Sequence, residues 1–433
     1  MQNDFEQARA LFVDGVAHFE AGRLHEAEQC FEASLKLLPG RASTRINLAA
    51  TRLRQARPAE ALAELDEVLA AEPQHLDAWC HRAAALIALG RPADALTHSA
   101  HVLGQDPGSA TAWHWQGLAL EQLRRFDQAQ QAFERVVALQ PTQADAWFHL
   151  GQLQQRQRQL PDALHSLDRA LALAPTHAGA CSQRGWVLKE LGRTEEAAAA
   201  FERAIELGAD AELHRFVLAS LGRAPGPAAP PRAYVQSLFD DYADGFDEHL
   251  VEVLGYQAHQ RLIEPLLQWQ PQGFDSALDL GCGTGLCGSL LRPMVRRLHG
   301  VDLSQPMLER AARLGVYDRL DCADLVEHLS RCDEQHDLVL AADVFIYVGE
   351  LGPVFDGVMR VLRRGGLFAF SVEQAGDGQA SVLTTQLRYA HGLPYLRDLA
   401  ARHGLQWLRA DALPIRQHRQ DNIPGLYVSL RRG

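Results

Sequence analysis

Small and apolar positions recur every 34 residues through the first half of the chain. Gly or Ala stands at Gly15, Ala49, Ala83, Gly117, Gly151 and Gly185, and Ala alone at Ala27, Ala61, Ala95, Ala129, Ala163 and Ala197. Pro follows at Pro39, Pro73, Pro107, Pro141 and Pro175. No insertion breaks the register, so the pattern predicts six stacked units, each made of two helices joined by a turn. In the fourth unit residues 113–120 form the first helix and 124–126 the turn. The second helix starts at Asp127 and carries Ala129, Phe133 and Val136 on one face. The small residue of the first helix lets the second approach, and Ala with Phe or Leu four positions on fills the space between them. The third unit departs, with Ser99 at the large position.

The pattern changes after residue 222. Pro225, Pro227, Pro230 and Pro231 with Gly226 forbid a continuous helix and favour extended backbone, which predicts a stiff linker over 223–232. Beyond it, short apolar runs at 276–280, 297–301, 337–342, 366–372 and 426–430 alternate with helix-period segments such as 306–314 and 351–362. That alternation predicts a parallel sheet covered by helices on both faces, with ligands at the carboxyl ends of its strands. The expected domains are therefore 1–222, the linker 223–232, and 233–433.

The six in-phase units resemble the tetratricopeptide repeat over about residues 8–211, with Trp79, Trp113 and Trp147 at its first aromatic position. Residues 210–221 read as the solvating end helix that an open stack needs. The resemblance implies a right-handed superhelix whose concave face grips an extended peptide or a partner helix. A protein or peptide in that groove is the expected partner, with self-association or spacing as the alternative. Phe12, Arg45, Arg52, His114, Phe148 and Trp186 are among the groove candidates.

Composition narrows the function classes. The 433 residues are 47% hydrophobic and 22% charged, with a net charge of −12. Neither half carries a basic excess, which disfavours binding to a nucleic acid backbone. The start lacks the basic end and apolar run of a secretory signal, and no stretch approaches the ~20 apolar residues that span a bilayer. A cytoplasmic protein without a membrane partner is expected. The seven cysteines form no CxxC pair, and Cys282 and Cys287 have no clustered His partners, so reduced thiols and no metal are expected.

The most specific chemical signal is the glycine-rich run from Asp279 through Leu280, Gly281, Cys282, Gly283, Thr284 and Gly285 to Gly288. Read from Gly283 it contains a literal G-x-G-x-x-G, and Asp302 ends the next strand, so the glycines alone leave a nicotinamide dinucleotide open. Charge separates the ligands. A dinucleotide brings a pyrophosphate, which Asp279 would repel. A cationic nucleoside suits acids at three successive strand ends, Asp279, Asp302 and Asp324.

The glycine-rich run, Gly300-Val301-Asp302-Leu303-Ser304 and Cys322-Ala323-Asp324-Leu325 resemble the class I S-adenosylmethionine-dependent methyltransferases over about residues 233–433. The whole chain is similar to a bacterial group of repeat-bearing methyltransferases. The resemblance implies an α-solenoid of six repeats followed by a Rossmann-like seven-stranded α/β domain with a final reversed strand. It implies S-adenosylmethionine as cofactor. Gly281, Gly283 and Gly285 would let backbone approach the methionyl part, and Asp279 would face its ammonium. Asp302 with Leu303 would meet the ribose, and Asp324 with Leu325 the adenine edge, with Asp321 in place of Asp324 as the alternative in a shifted register. The aromatics Phe239, Tyr242 and Phe246 would form a lid, with Tyr242 over the methionyl end.

On the acceptor side the fourth strand runs into Asp343 and Tyr347. Asp343 orients or deprotonates a nucleophile or caps a helix, and Tyr347 walls the pocket. His391, with Arg388, is a substrate candidate or an ordinary helix-start and surface residue; His249 is a weaker one. No Asn/Asp-Pro-Pro-aromatic motif follows that strand, which argues against adenine or glutamine amino groups as acceptors. The expected function is methyl transfer to a protein or carrier-bound acceptor recruited by the repeats. A small-molecule methyltransferase with repeats for oligomerisation, or a non-catalytic nucleoside-binding scaffold, are the alternatives.

Overall fold

A computed structural model describes residues 2–242, 255–418 and 421–433. The chain divides into two compact units, Met1–Ala209 and Asp210–Gly433.

The first unit is helical, from Gln2–Glu20 to Thr194–Glu206, in antiparallel neighbours that follow the 34-residue period. The small positions do what the pattern predicts. A Cβ added at Gly117 would lie 2.8 Å from the Phe133 ring, and one at Gly185 would lie 2.7 Å from the Phe201 ring. Ala27, Ala61, Ala95, Ala129, Ala163 and Ala197 are fully buried. Four of the five Pro positions are held through their carbonyls. The indole N–H groups of Trp79, Trp113 and Trp147 donate to the oxygens of Pro73, Pro107 and Pro141 at 2.9–3.0 Å, and Arg45 Nε makes the equivalent bond to Pro39 at 3.2 Å. At the third unit Ser99 is buried and donates to the Leu96 carbonyl, opposite Ala83. Two groove candidates are engaged within the array. Arg52 pairs with Glu28, Glu32 and Glu64, and Arg45 with Glu64.

The second unit begins earlier than the linker expectation. The helix Ala211–Ser220 belongs to it, and the Phe216 ring lies 5.8 Å from that of Tyr234 and 6.3 Å from that of Tyr389. The Pro-rich segment is bonded to the same unit rather than standing free. Extended Pro-rich backbone leaves its carbonyls without internal partners. The Pro227 oxygen accepts from the Tyr389 hydroxyl at 2.7 Å, and that of Ala228 accepts from the N–H groups of Gly349 and Glu350.

The sheet contains β1 Phe274–Leu280, β2 Val295–Asp302, β3 Arg319–Cys322, β4 His336–Ala341, β5 Leu362–Gln374, β6 Ser381–Leu383, β7 Tyr389–His391, β8 Leu405–His418 and β9 Asp421–Arg432. β3, β2, β1, β4 and β5 run parallel in that order, β9 pairs antiparallel with β5, and β8 closes the edge on β9. These seven match the expected layout, with the reversed strand last in the chain. The hairpin β6–β7 is additional among the described residues. β7 joins β5 at Glu373 and Gln374, where β4 has already ended at Ala341. It is three residues long, too short to show alternation in the sequence. The parallel strands are buried on both faces: Leu278, Leu280, Val339, Phe368 and Phe370 are inaccessible on one, and Ala277, Leu338, Leu340 and Ala369 on the other. No helix among the described residues is long and apolar enough to cross a membrane.

Candidate functional site

β1 ends in a turn laid across the end of β2: the N–H groups of Gly281 and Cys282 donate to the Val301 carbonyl at 2.7 and 3.0 Å. The turn needs left-handed backbone, with φ +66° at Gly281 and +54° at Gly283. A Cβ at Gly281 would run into Val344, whereas at Gly283 nothing lies within 4 Å, so backbone alone faces open space. Asp302, at the end of β2, accepts from the Gly283 N–H through Oδ2 at 2.8 Å and from the Ser304 N–H through Oδ1 at 2.9 Å. Burial raises its pKa above the ordinary value, with these N–H groups opposing that rise. Asp324 Oδ1 accepts from the N–H groups of Val326 and Glu327 and so caps the helix Leu325–Arg331.

Gly281, Gly283, Asp302 and Asp324 line a cavity of about 670 Å³, together with Leu303 and Leu325. That volume lies within the ~300–1,000 Å³ usual for small-molecule sites. The helix Arg232–Tyr242 lines it too, through Val235, Leu238 and Phe239, as do Ala229 and Pro230 of the Pro-rich segment. Asp240 ties that helix to β2, accepting from Ser304 Oγ at 2.6 Å.

The cavity wall also carries a buried charged cluster. Asp343 follows β4 at φ +59°, a left-handed conformation uncommon for a residue with a side chain. Its Oδ2 accepts from Arg416 Nη1 at 2.5 Å, and the other arm of Arg416 donates to Glu373. Burial raises the Glu373 pKa, opposed by Arg416 and Arg388. Burial acts to lower that of Arg416, but Asp343 and Glu373 hold it above its ordinary value. Arg388 stands 3.7 Å from Glu373 with a quarter of its side chain exposed. Tyr347, whose pKa burial raises, packs edge-on to Phe239 at 5.3 Å. Asp343, Tyr347, Arg388 and Arg416 all line the cavity.

Several expectations meet a different arrangement. Asp279 is 1% exposed and does not line the cavity; Oδ2 accepts from the Tyr317 hydroxyl at 2.7 Å beneath the turn. Burial pushes its pKa up to about 7. Gly285 also lies off the cavity, its Cβ direction blocked by Leu314 at 2.7 Å. His391 is neither surface nor cavity wall. It sits inside β7, fully buried, and burial lowers its pKa to about 4. Asp343 caps no helix but pairs with Arg416. Asp321 bonds His299 and Arg319, so Asp324 is the acid that reaches the cavity. Tyr242 ends its helix, but its side chain, like Phe246 and His249, lies outside the described residues. Glu373, Tyr317 and Asp240 were not among the candidates. Glu373, an acid ending an apolar strand, carried the one signal that could have found it.

Residues 278–370 match the family model described as a methyltransferase domain. Residues 18–118 and 116–214 match overlapping models described as tetratricopeptide repeat. The chain joins tetratricopeptide repeats to a methyltransferase domain. Among curated relatives, malonyl-[acyl-carrier protein] O-methyltransferase of Pseudescherichia vulneris is 30% identical over 143 residues, 33% of this chain and 55% of that protein. Trans-aconitate 2-methyltransferase of Pseudomonas aeruginosa is 33% identical over 129 residues, 26% of this chain and 46% of that protein. The chain spans between 21% and 55% of the length of the first curated relatives it matches. A solved S-adenosylmethionine-dependent methyltransferase from Clostridium acetobutylicum is 19% identical with a TM-score of 0.36, over 45% of this chain and 99% of that one.

S-adenosylmethionine is the cofactor that belongs with such a methyltransferase domain, and the residues present fit it. Gly283 leaves a cradle that a Cβ would fill, Asp302 keeps lone pairs for two hydroxyls after accepting two N–H groups, and apolar Leu303 and Leu325 flank Asp324.

Proposed function

We propose that the chain transfers the methyl group of S-adenosylmethionine to a carboxylate borne by a protein or carrier that the repeats recruit. The observation that carries this reading is Arg388, a partly buried cation that lines the same cavity as Asp302, with Glu373 3.7 Å away and the Tyr347 hydroxyl as a further partner. Gly281 and Gly283 would hold the methionyl backbone, Asp302 the ribose hydroxyls, and Asp324 with Leu325 the adenine edge. Bound there, the cofactor supplies a methyl carbon already activated by its sulfonium. The protein's task is then to align the acceptor and exclude water. A carboxylate brings its own charge and lone pair, so no side chain need remove a proton. That suits a site whose nearest acid, Asp343, is already held by Arg416. Arg388 would orient the acceptor oxygens, and the Tyr347 hydroxyl would wall them in. The names of two relatives, malonyl-[acyl-carrier protein] O-methyltransferase and trans-aconitate 2-methyltransferase, concern acids and agree with this choice.

Calorimetry with S-adenosylhomocysteine tests the cofactor assignment: Asp302→Ala is expected to weaken binding by ~1–3 kcal/mol, and no heat with the native chain would defeat it. Full-length protein with methyl-labelled donor and cell extract tests the acceptor. The expected label travels with protein and leaves as methanol in mild base, as a carboxyl ester does. Base-stable label excludes the carboxylate, and label on a free small molecule excludes recruitment of a protein or carrier by the repeats. Arg388→Ala is expected to raise KM for the acceptor while leaving cofactor affinity unchanged.

A further inference from the structure

Away from the cavity, three imidazoles converge between the sheet and the helix Leu325–Arg331, which carries His328, in a way the methyl-transfer reading does not use. His299 lies within β2 and His336 opens β4; both are buried. The His299 ring centroid is 5.1 Å from that of His328 and 6.2 Å from that of His336. Each of the two strand histidines has one nitrogen engaged: His299 Nε2 with Asp321 Oδ2 at 3.0 Å, and His336 Nδ1 with Ser276 Oγ at 2.9 Å. The other nitrogens, His299 Nδ1 and His336 Nε2, are buried without a hydrogen-bond partner. Buried polar atoms without partners are uncommon in folded proteins, and an ion or water is the usual explanation. Here a ligand atom from each of His299, His336 and Glu334 lies within 4.8 Å of the others.

We infer that His299, His336 and Glu334 form a binding site for a divalent cation of the zinc class. Two imidazoles and a carboxylate are a donor set for borderline metals and a poor one for Mg²⁺ or Ca²⁺, which take oxygen. The engaged nitrogens supply what metal-binding histidines ordinarily have, an outer partner that fixes tautomer and ring direction: Asp321 for His299 and Ser276 for His336. Glu334 is half exposed and shared with Arg319 at 2.9 Å, which leaves an approach from solvent for the ion and a fourth position for water. None of the three residues lines the cavity, so the ion's role is to fasten the loop after Leu325–Arg331 to the sheet. The cysteines gave no reason to expect this site, because its ligands are spread over three segments and none is a thiol.

The test uses the full chain stripped of metal by chelation and titrated with Zn²⁺, followed by calorimetry and thermal melting. One equivalent is expected to bind, raising Tm of the methyltransferase unit by about 5–10 °C at a hundredfold excess over Kd. Glu334→Gln changes a half-exposed side chain and is expected to fold normally while binding at least tenfold more weakly. His336→Gln, checked by circular dichroism, is expected to lose the site. Zn²⁺ binding that is equal in the native chain and both variants would place the ion elsewhere and overturn the inference. So would the absence of a stabilising ion, or Mg²⁺ binding as tightly as Zn²⁺; water would then fill the space between the imidazoles.

Discussion

The two units handle buried polarity in opposite ways. In the repeats, buried polar groups are satisfied within about one repeat length, as when Glu28 is held by Arg52 and Arg57 or the Ser34 hydroxyl donates to the Ala8 carbonyl. Their interior is small residue against large, repeated down the chain. In the methyltransferase unit charged and titratable groups lie inside: Asp279, Glu373, Arg416, His336 and His391 are all buried. Several have partners far along the chain: Arg416 pairs with Asp343, Asp279 with Tyr317 and His336 with Ser276. A solenoid can be assembled from local rules, whereas a site at the ends of parallel strands is assembled by crossovers.

The sharpest way to probe that contrast is to remove one large contributor from each unit. Arg416→Ala leaves the Asp343 and Glu373 carboxylates buried without their cation and is expected to cost ~3–5 kcal/mol. Phe133→Ala is expected to cost a similar ~3–5 kcal/mol through lost packing and a cavity. Denaturant unfolding with S-adenosylhomocysteine titration tells them apart: only the first should also weaken binding of the nucleoside, because Arg416 and Asp343 line its cavity.

Asp279 offers a pH handle on the second unit. Its folded pKa of about 7 exceeds the ordinary 3.8 because burial disfavours the charged form. The folded state therefore binds the proton more tightly, and stability from this group is full below pH 3.8 and is lost as pH rises toward 7. Asp279→Asn is expected to flatten this fall, which is on the order of 1–4 kcal/mol. Parallel melting curves for both proteins across the window would contradict it.

The smallest effect tests the small-to-large pairing. Gly117→Ala pushes a methyl into the Phe133 ring and is expected to cost about 1–3 kcal/mol, partly offset by better helix propensity. Adding Phe133→Leu should restore most of it, because the second unit already pairs Ala49 with Leu65. A double mutant no better than the single would show that the ring is not what the glycine accommodates.

The same contrast explains how far the sequence could be read. The 34-residue period reports contacts between neighbours, and so Gly15, Ala27 and their equivalents could be placed. The runs at 276–280 and 297–301 lie within β1 and β2, and Asp302 and Asp324 lie on the cavity. Asp279 could not be read correctly, because its partner Tyr317 is distant in sequence and turns the carboxylate inward. Arg388 and Arg416 were visible as cations, but nothing local joined them to Glu373 and Asp343. Nor does composition reveal that a Pro-rich stretch will find donors for its carbonyls on another segment.

That last feature decides where the enzyme starts. Because Ala228 is held by Gly349 and Glu350, and Ala229 and Pro230 face the cavity, a fragment cut at residue 233 would be missing masonry from its own reaction chamber. A faithful excised version has to begin at Asp210, where the second compact body begins, and its turnover compared with the full chain would then report on the repeats alone.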